Sequence, residues 1–366
     1  MPKTIPPPPP QPSVEETKQA IRFTWGTMLA FFLVFLGISQ CYHRDSTMVE
    51  YGRKSTHSWN VWRAHNLDMP ARRSHSEGKI AWLIGSSIMR ESFDEADINK
   101  KLAAQESPYR VIKLSVDRGA AGIIFGMLRH ADIKSGDIVL HNIAVGNYKK
   151  DWLEYIDLPA HQMMELYEAQ DFWDLQEWGI ADKLEQSSAI PYQFYAHHEN
   201  HMNGLEKWWI SLWQGKSPKK KKPGYQTTFL NYDQKPGPKP SPKHYAYIGK
   251  DGLDLSSSHI NSIGLHKMRT LCQEQGAELF LIDIPPRQQY MAELVHQNAQ
   301  AEWKQWRQEQ TRIQYFAQQP EDHYYDLTHP NFRGRSHLSN QLVMWLLTPE
   351  KGIPAVVTWP IPDYNK

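Results

Sequence analysis

At 366 residues, with 41 Lys and Arg against 40 Asp and Glu and a formal net charge of +1, the chain lacks the basic excess of a phosphate-backbone binder, so no nucleic-acid partner is expected. It is long enough to bury a sizeable core without cross-links. Its two cysteines, Cys41 and Cys272, offer neither a disulfide framework nor a Cys-rich zinc site.

Residues 1–20 read as a Pro-rich tail, because the run 6–10 has no backbone donors and favours an extended form. Residues 21–42 are expected to form one transmembrane helix. Residues 23–40 carry no charge, Lys18 and Arg22 precede them, and His43, Arg44 and Asp45 follow. No small-x-small cleavage site follows, which favours a retained span over a cleaved signal peptide. Arg44, Arg53 and Lys54 lie close on the far side, so charge alone hardly orients the helix. Residues 43–78 read as a polar, basic stalk.

From residue 79 the pattern changes to strand, helix, strand, helix, strand: 80–84, 94–105, 109–116, 123–130 and 137–143. That alternation predicts an α/β fold with a parallel sheet and crossover helices. It stops at an aromatic, then Lys- and Pro-rich, insertion spanning about 148–255. There 219–222 is a lysine run, and the alternating prolines of 236–242 argue for a loop. The α/β pattern returns with a helix at 261–275 and a strand at 279–284, closed by Pro285 and Pro286. A long polar helix over 288–318 and a final amphipathic helix over 337–347 complete the domain 79–366.

Four short blocks sit at predicted strand ends. Gly85-Ser86-Ser87 follows the first strand, Gly119-Ala120-Ala121-Gly122 the second and Gly146-Asn147 the third, and Asp326-Leu327-Thr328-His329 precedes the last helix. Ligands in open α/β sheets bind outside the carboxyl ends of the strands. A serine hydroxyl there becomes a nucleophile only when an imidazole takes its proton and a carboxylate orients that imidazole. Asp326 and His329 offer both from one turn. A turn serine and a helix-capping aspartate are the plainer reading of the same residues.

These blocks resemble those of the SGNH (GDSL-type) hydrolase superfamily, whose fold is a flavodoxin-like parallel sheet with helices on both faces. The resemblance covers 79–147 and 261–347. It implies a triad of Ser87, Asp326 and His329, and an oxyanion hole of the Ser87 N–H, the Gly122 N–H and the Asn147 side chain. Asn142 competes with Asn147, because Asn147 directly follows Gly146 where the family usually has Gly-x-Asn-Asp. Ser86 stands where the family usually has Asp. A Gly-Ser-Ser block behind an N-terminal span is similar to the teichoic acid D-alanyl transfer protein and other membrane-anchored members associated with membrane-bound O-acyltransferases. The resemblance therefore implies a single-pass protein of the cytoplasmic membrane with its catalytic domain outside. It would act as a serine O-acyltransferase or esterase on a cell-envelope polysaccharide or teichoic-type polymer, with no cofactor and with a membrane-bound O-acyltransferase as partner. A non-catalytic scaffold for that partner is the competing reading.

Arg118, beside the glycine block, is a candidate for a substrate carboxylate or phosphate. His197 and His201 are four apart but lack a third ligand and a metalloprotease Glu, so no metal site is assigned. The lysine run 219–222 reads as a solvated loop, and Trp208, Trp209 and Trp213 read equally as a packing edge or a sugar or membrane face.

Overall fold

The computed structural model describes residues 13–42, 66, 68–74, 78–116, 119–148, 168–173, 180, 252–287 and 297–348. Helices α1 (Val14–Tyr42) and α2 (Met69–Ser74) precede strand β1 (Lys79–Gly85). Then come α3 (Ser87–Ser92), α4 (Glu95–Ala104), β2 (Tyr109–Ser115), α5 (Ala121–Arg129) and β3 (Ile138–Ile143). After α6 (Ala169–Trp173) follow α7 (Ile260–Glu274), β4 (Glu278–Asp283), α8 (Gln297–Glu309), β5 (Ile313–Tyr315) and α9 (Phe332–Leu347).

The five strands form one parallel sheet in the order β2-β1-β3-β4-β5. Helices cover both faces, which is why β1 is an almost unbroken apolar run. Ile80, Trp82, Ile84, Val139 and Leu281 belong to a core shared with α5, α7 and α8. Ala81, Leu83, Leu140 and Ile282 belong to the opposite core, shared with α3, α4 and α9. The chain leaves β1 for β2 on one side and returns to β3 on the other, so a crevice opens at the carboxyl ends of β1 and β3. At the amino ends the 1 % exposed Asp137 fixes the β1–β3 register. It accepts from the Ile80 N–H at 2.8 Å and the Trp82 indole at 3.1 Å, with Arg73 at 3.3 Å as counter-ion.

Three departures from the sequence reading have local causes. The polar helix expected over 288–318 is helical only at Gln297–Glu309 in its described part, and Ile313–Tyr315 is a strand on β4. Arg312, at φ 58°, turns the chain between them. The last helix starts at Phe332, earlier than expected, because Asn331 caps it by accepting from the Arg333 and Gly334 N–H groups. The stalk ends sooner than residue 78. Asn66, Met69 and Arg73 are buried, and the Asn66 amide pairs with Ser115 N and O along the otherwise open edge of β2.

The two ends of the insertion meet, Asp254 N–H donating to Tyr148 O at 2.7 Å. Within it, Asp171 of α6 accepts twice from Arg129 of α5, at 2.9 and 3.2 Å. The rest of the insertion, including His197, His201, Trp208, Trp209, Trp213 and the lysine run, lies outside the described residues. Helix α1 exposes Phe23, Trp25, Phe31 and Val34 on different sides. Its side chains are described only as far as residue 34. Among the described residues, no helix is long and apolar enough to cross a membrane.

Candidate active site

Strand β1 delivers the two serines into a turn that only glycine can begin. A Cβ on Gly85 would lie 1.8 Å from Asn142 Oδ1. That close approach lets Asn142, on the α3 face of β3, accept from the Ser86 N–H at 3.0 Å and donate to Ser86 Oγ at 3.3 Å. Ser86 Oγ in turn accepts from the Ile88 N–H at 3.2 Å as the N-cap of α3. Ser86 is thus 4 % exposed with its polar atoms engaged, whereas Ser87 at the first helical position is partly exposed. Ser86→Ala should therefore cost about 0.5–2 kcal/mol of stability in a denaturant titration. The variant should still react at Ser87, and loss of reaction without loss of stability would reverse the roles of the two serines.

His329 comes from a closed loop between the sheet edge and α9. Tyr324 and Pro330 pair across it, and the Tyr325 N–H donates to His329 O at 2.9 Å. The segment after β4 pins the loop from outside: Arg287 N–H donates to Leu327 O at 2.9 Å and the Tyr324 hydroxyl to Pro285 O at 2.8 Å. Inside it, Asp326 Oδ1 accepts from the Thr328 N–H at 2.9 Å and the His329 N–H at 2.8 Å. Its Oδ2 lies 2.7 Å from His329 Nδ1, and His329 Nε2 lies 2.8 Å from Ser87 Oγ. An ionised carboxylate can only accept, so Nδ1 carries the proton and Nε2 is left to accept from the serine hydroxyl.

Electrostatics agree with that tautomer. Burial opposes ionisation of Asp326, but its hydrogen bond to His329, the imidazole charge and the two loop N–H groups outweigh burial and hold it below the usual carboxylate range. Burial likewise opposes charge on His329. Here the bond to Asp326 and the negative charges of Asp326 and Glu91 prevail over Arg90, and the imidazole is more basic than usual. His141, buried within β3, shares the opposite face with Val139 and Ile143. Burial pushes it down to about 4, and Nδ1 is 3.1 Å from Ile84 O. It is a neutral core group.

The remaining assigned residues divide. The Gly122 N–H donates to Asn261 Oδ1 at 3.1 Å, so that donor is engaged within the fold. A Cβ there would meet Ile260 Cγ1 at 2.4 Å, which makes Gly122 the close-contact point of α5 with α7. Asn142 is committed to Ser86, as described above. Asn147, in the short 3-10 turn Val145–Tyr148, is 8 % exposed, and its side chain makes no hydrogen bond to another described residue. The Ser87 N–H is a first-turn donor with no acceptor among the described residues. Arg118 lies outside the described residues. Among the described residues no group of three His, Cys, Asp or Glu could hold a metal ion.

Asn261 escaped the sequence reading. It joins two of the blocks, accepting from Gly122 N–H and donating to Asn147 O. In sequence it is one more polar residue at a helix start, where capping is the default reading.

No protein-family model matches the chain, and no curated protein matches it. What fold and geometry define is a doubly wound α/β protein with a serine, histidine and aspartate hydrogen-bonded in sequence at the carboxyl edge of its sheet.

Proposed function

We propose that this chain is a membrane-anchored serine O-acyltransferase or esterase of SGNH type, with a flavodoxin-like catalytic domain. The observation that carries the reading is the unbroken chain Ser87 Oγ to His329 Nε2 at 2.8 Å and His329 Nδ1 to Asp326 Oδ2 at 2.7 Å. Ser87 Oγ attacks the acyl carbonyl while its proton passes to His329 Nε2, and Asp326 stabilises the imidazolium. His329 returns the proton to the departing alcohol or thiol, leaving an ester on Ser87. An acceptor hydroxyl, or water, then gives its proton to His329 and takes the acyl group, and His329 passes that proton to the departing Ser87 Oγ. The Ser87 N–H and the Asn147 amide are the oxyanion donors of this reading; removal of one such donor typically costs about 3–4 kcal/mol of transition-state stabilisation.

Helix α1 supports an anchoring role, because charge-free residues 23–40 fall within it and Phe23, Trp25, Phe31 and Val34 on it are exposed. An acceptor in the cell envelope and a membrane-bound O-acyltransferase as acyl supplier complete the proposal. To test it, the full chain in detergent is mixed with p-nitrophenyl acetate and its intact mass followed. The expected result is one acetyl group that maps to Ser87. A folded chain that gains no acyl group and no fluorophosphonate, yet is still required for polymer acylation in the host, would establish the scaffold reading instead.

A further inference from the structure

Beneath the nucleophile turn lies a set of charged side chains that the proton transfers above do not use. Glu91 is 0 % exposed, Lys113 2 %, Arg90 3 % and Arg335 5 %. Buried ions persist only when paired and hydrogen-bonded, so this set is held together as a unit. Its purpose is legible in its contacts. Helix α3 has only six residues, too few to be stable alone, and its C-terminal carbonyls need partners. Lys113 of β2 donates to Arg90 O at 2.9 Å and Phe93 O at 2.6 Å, and Arg335 of α9 donates from Nε to Glu91 O at 2.9 Å. The Glu91 carboxylate accepts from Arg90 Nε at 2.7 Å and faces Arg335 Nη2 at 3.5 Å.

The connectivity matters as much as the distances. Glu91 lies one helical turn after Ser87, and Arg335 lies in the first turns of the helix that follows the His329 loop. Glu91 therefore joins the helix that carries the nucleophile to the helix that follows the loop carrying the base. We propose that Glu91, bridged to Arg90 and Arg335, is a positioning residue that locks α3 against α9 and so sets the Ser87–His329 geometry. This rests on the reading of Ser87 as nucleophile. Misplacement of reacting groups by about 1 Å costs on the order of 100-fold in rate. The charge of Glu91 also favours the imidazolium of His329, against the opposing charge of Arg90. The other charged groups of the neighbourhood are Asp94, Glu95, Lys113 and Asp326.

The test is the second-order rate of fluorophosphonate labelling of the full chain across pH, with a thermal melt of each variant. Glu91→Gln should label about 100-fold more slowly. Its acid limb should move to lower pH, because removing the carboxylate leaves His329 less basic. Glu91→Asp should recover part of the rate, and Arg335→Gln should reproduce the loss without adding fully to Glu91→Gln. If Glu91→Gln does not fold, Glu91→Asp and Arg335→Lys, which keep the charges but change their reach, should still slow labelling while the melt is retained. Wild-type labelling rate and an unmoved limb in the folded variants would overturn the proposal. An unlabelled wild-type chain would instead overturn the serine reading, and this proposal with it.

Discussion

Ser87→Ala is expected to abolish the acyl adduct and to lower turnover of an activated ester by about 10,000-fold to a million-fold, as loss of a triad nucleophile does elsewhere. The effect should be confined to chemistry. Ser87 contributes one described side-chain hydrogen bond, to His329, so its loss should cost about 0.5–1.5 kcal/mol of stability. The N-cap of α3 is Ser86 and remains. Steady-state turnover, intact mass and a denaturant titration on the same preparation separate the outcomes. An adduct that survives on another residue, Ser86 above all, would sink the assignment.

Asp326→Asn should lower kcat/KM by on the order of 10,000-fold while leaving the loop closed. The reason lies in the two faces of the carboxylate. Oδ1 accepts from the Thr328 and His329 N–H groups, and the amide oxygen of Asn can do the same. That places the amide nitrogen, a donor, against His329 Nδ1. The imidazole must then carry its proton on Nε2, where it cannot accept from Ser87. The pH profile carries the same signature. His329 works as a base only when neutral, so wild-type kcat/KM should fall as pH drops through its raised pKa. Without the Asp326 charge that limb should move to lower pH. An unchanged rate with an unmoved limb would show that Asp326 caps the loop and does no more.

The contribution of His329 to stability should respond to pH in the opposite sense from activity. Because the folded pKa of His329 is raised, its contribution is complete below the unfolded value of 6.5 and is lost as pH rises through the folded pKa. Asp326 has a lowered folded pKa, so its contribution is present above the unfolded value of 3.8 and is lost as pH falls through the folded pKa. The pair is best held between those limits, whereas the proposed reaction needs the neutral imidazole.

The apolar runs that became β1 to β4 were legible, because a strand covered on both faces has no room for polar alternation. Strand β5 was not. Its three residues are only partly covered, and they follow a polar helix whose composition hides the break at Arg312. The bond at Gly122 was hidden for another reason. A glycine beside a strand end suggests a free backbone donor, and nothing local discloses that Asn261, 139 positions away, has taken it.

The sequence by itself determined the parallel α/β pattern, and its strand-end blocks pointed to Ser87, Asp326 and His329, which meet at the sheet edge. Periodicity and strand-end position are local properties, and a crevice at the carboxyl ends gathers whatever the strand ends carry. Only the tertiary structure disclosed what keeps Ser86 away from His329. Asn142, from a neighbouring strand, occupies Ser86 and leaves Ser87 to His329. It also disclosed Glu91 and Arg335, 244 positions apart, as one buried unit. Hydrogen-bond partners of buried polar groups are chosen by packing across the chain, and no local pattern records that choice.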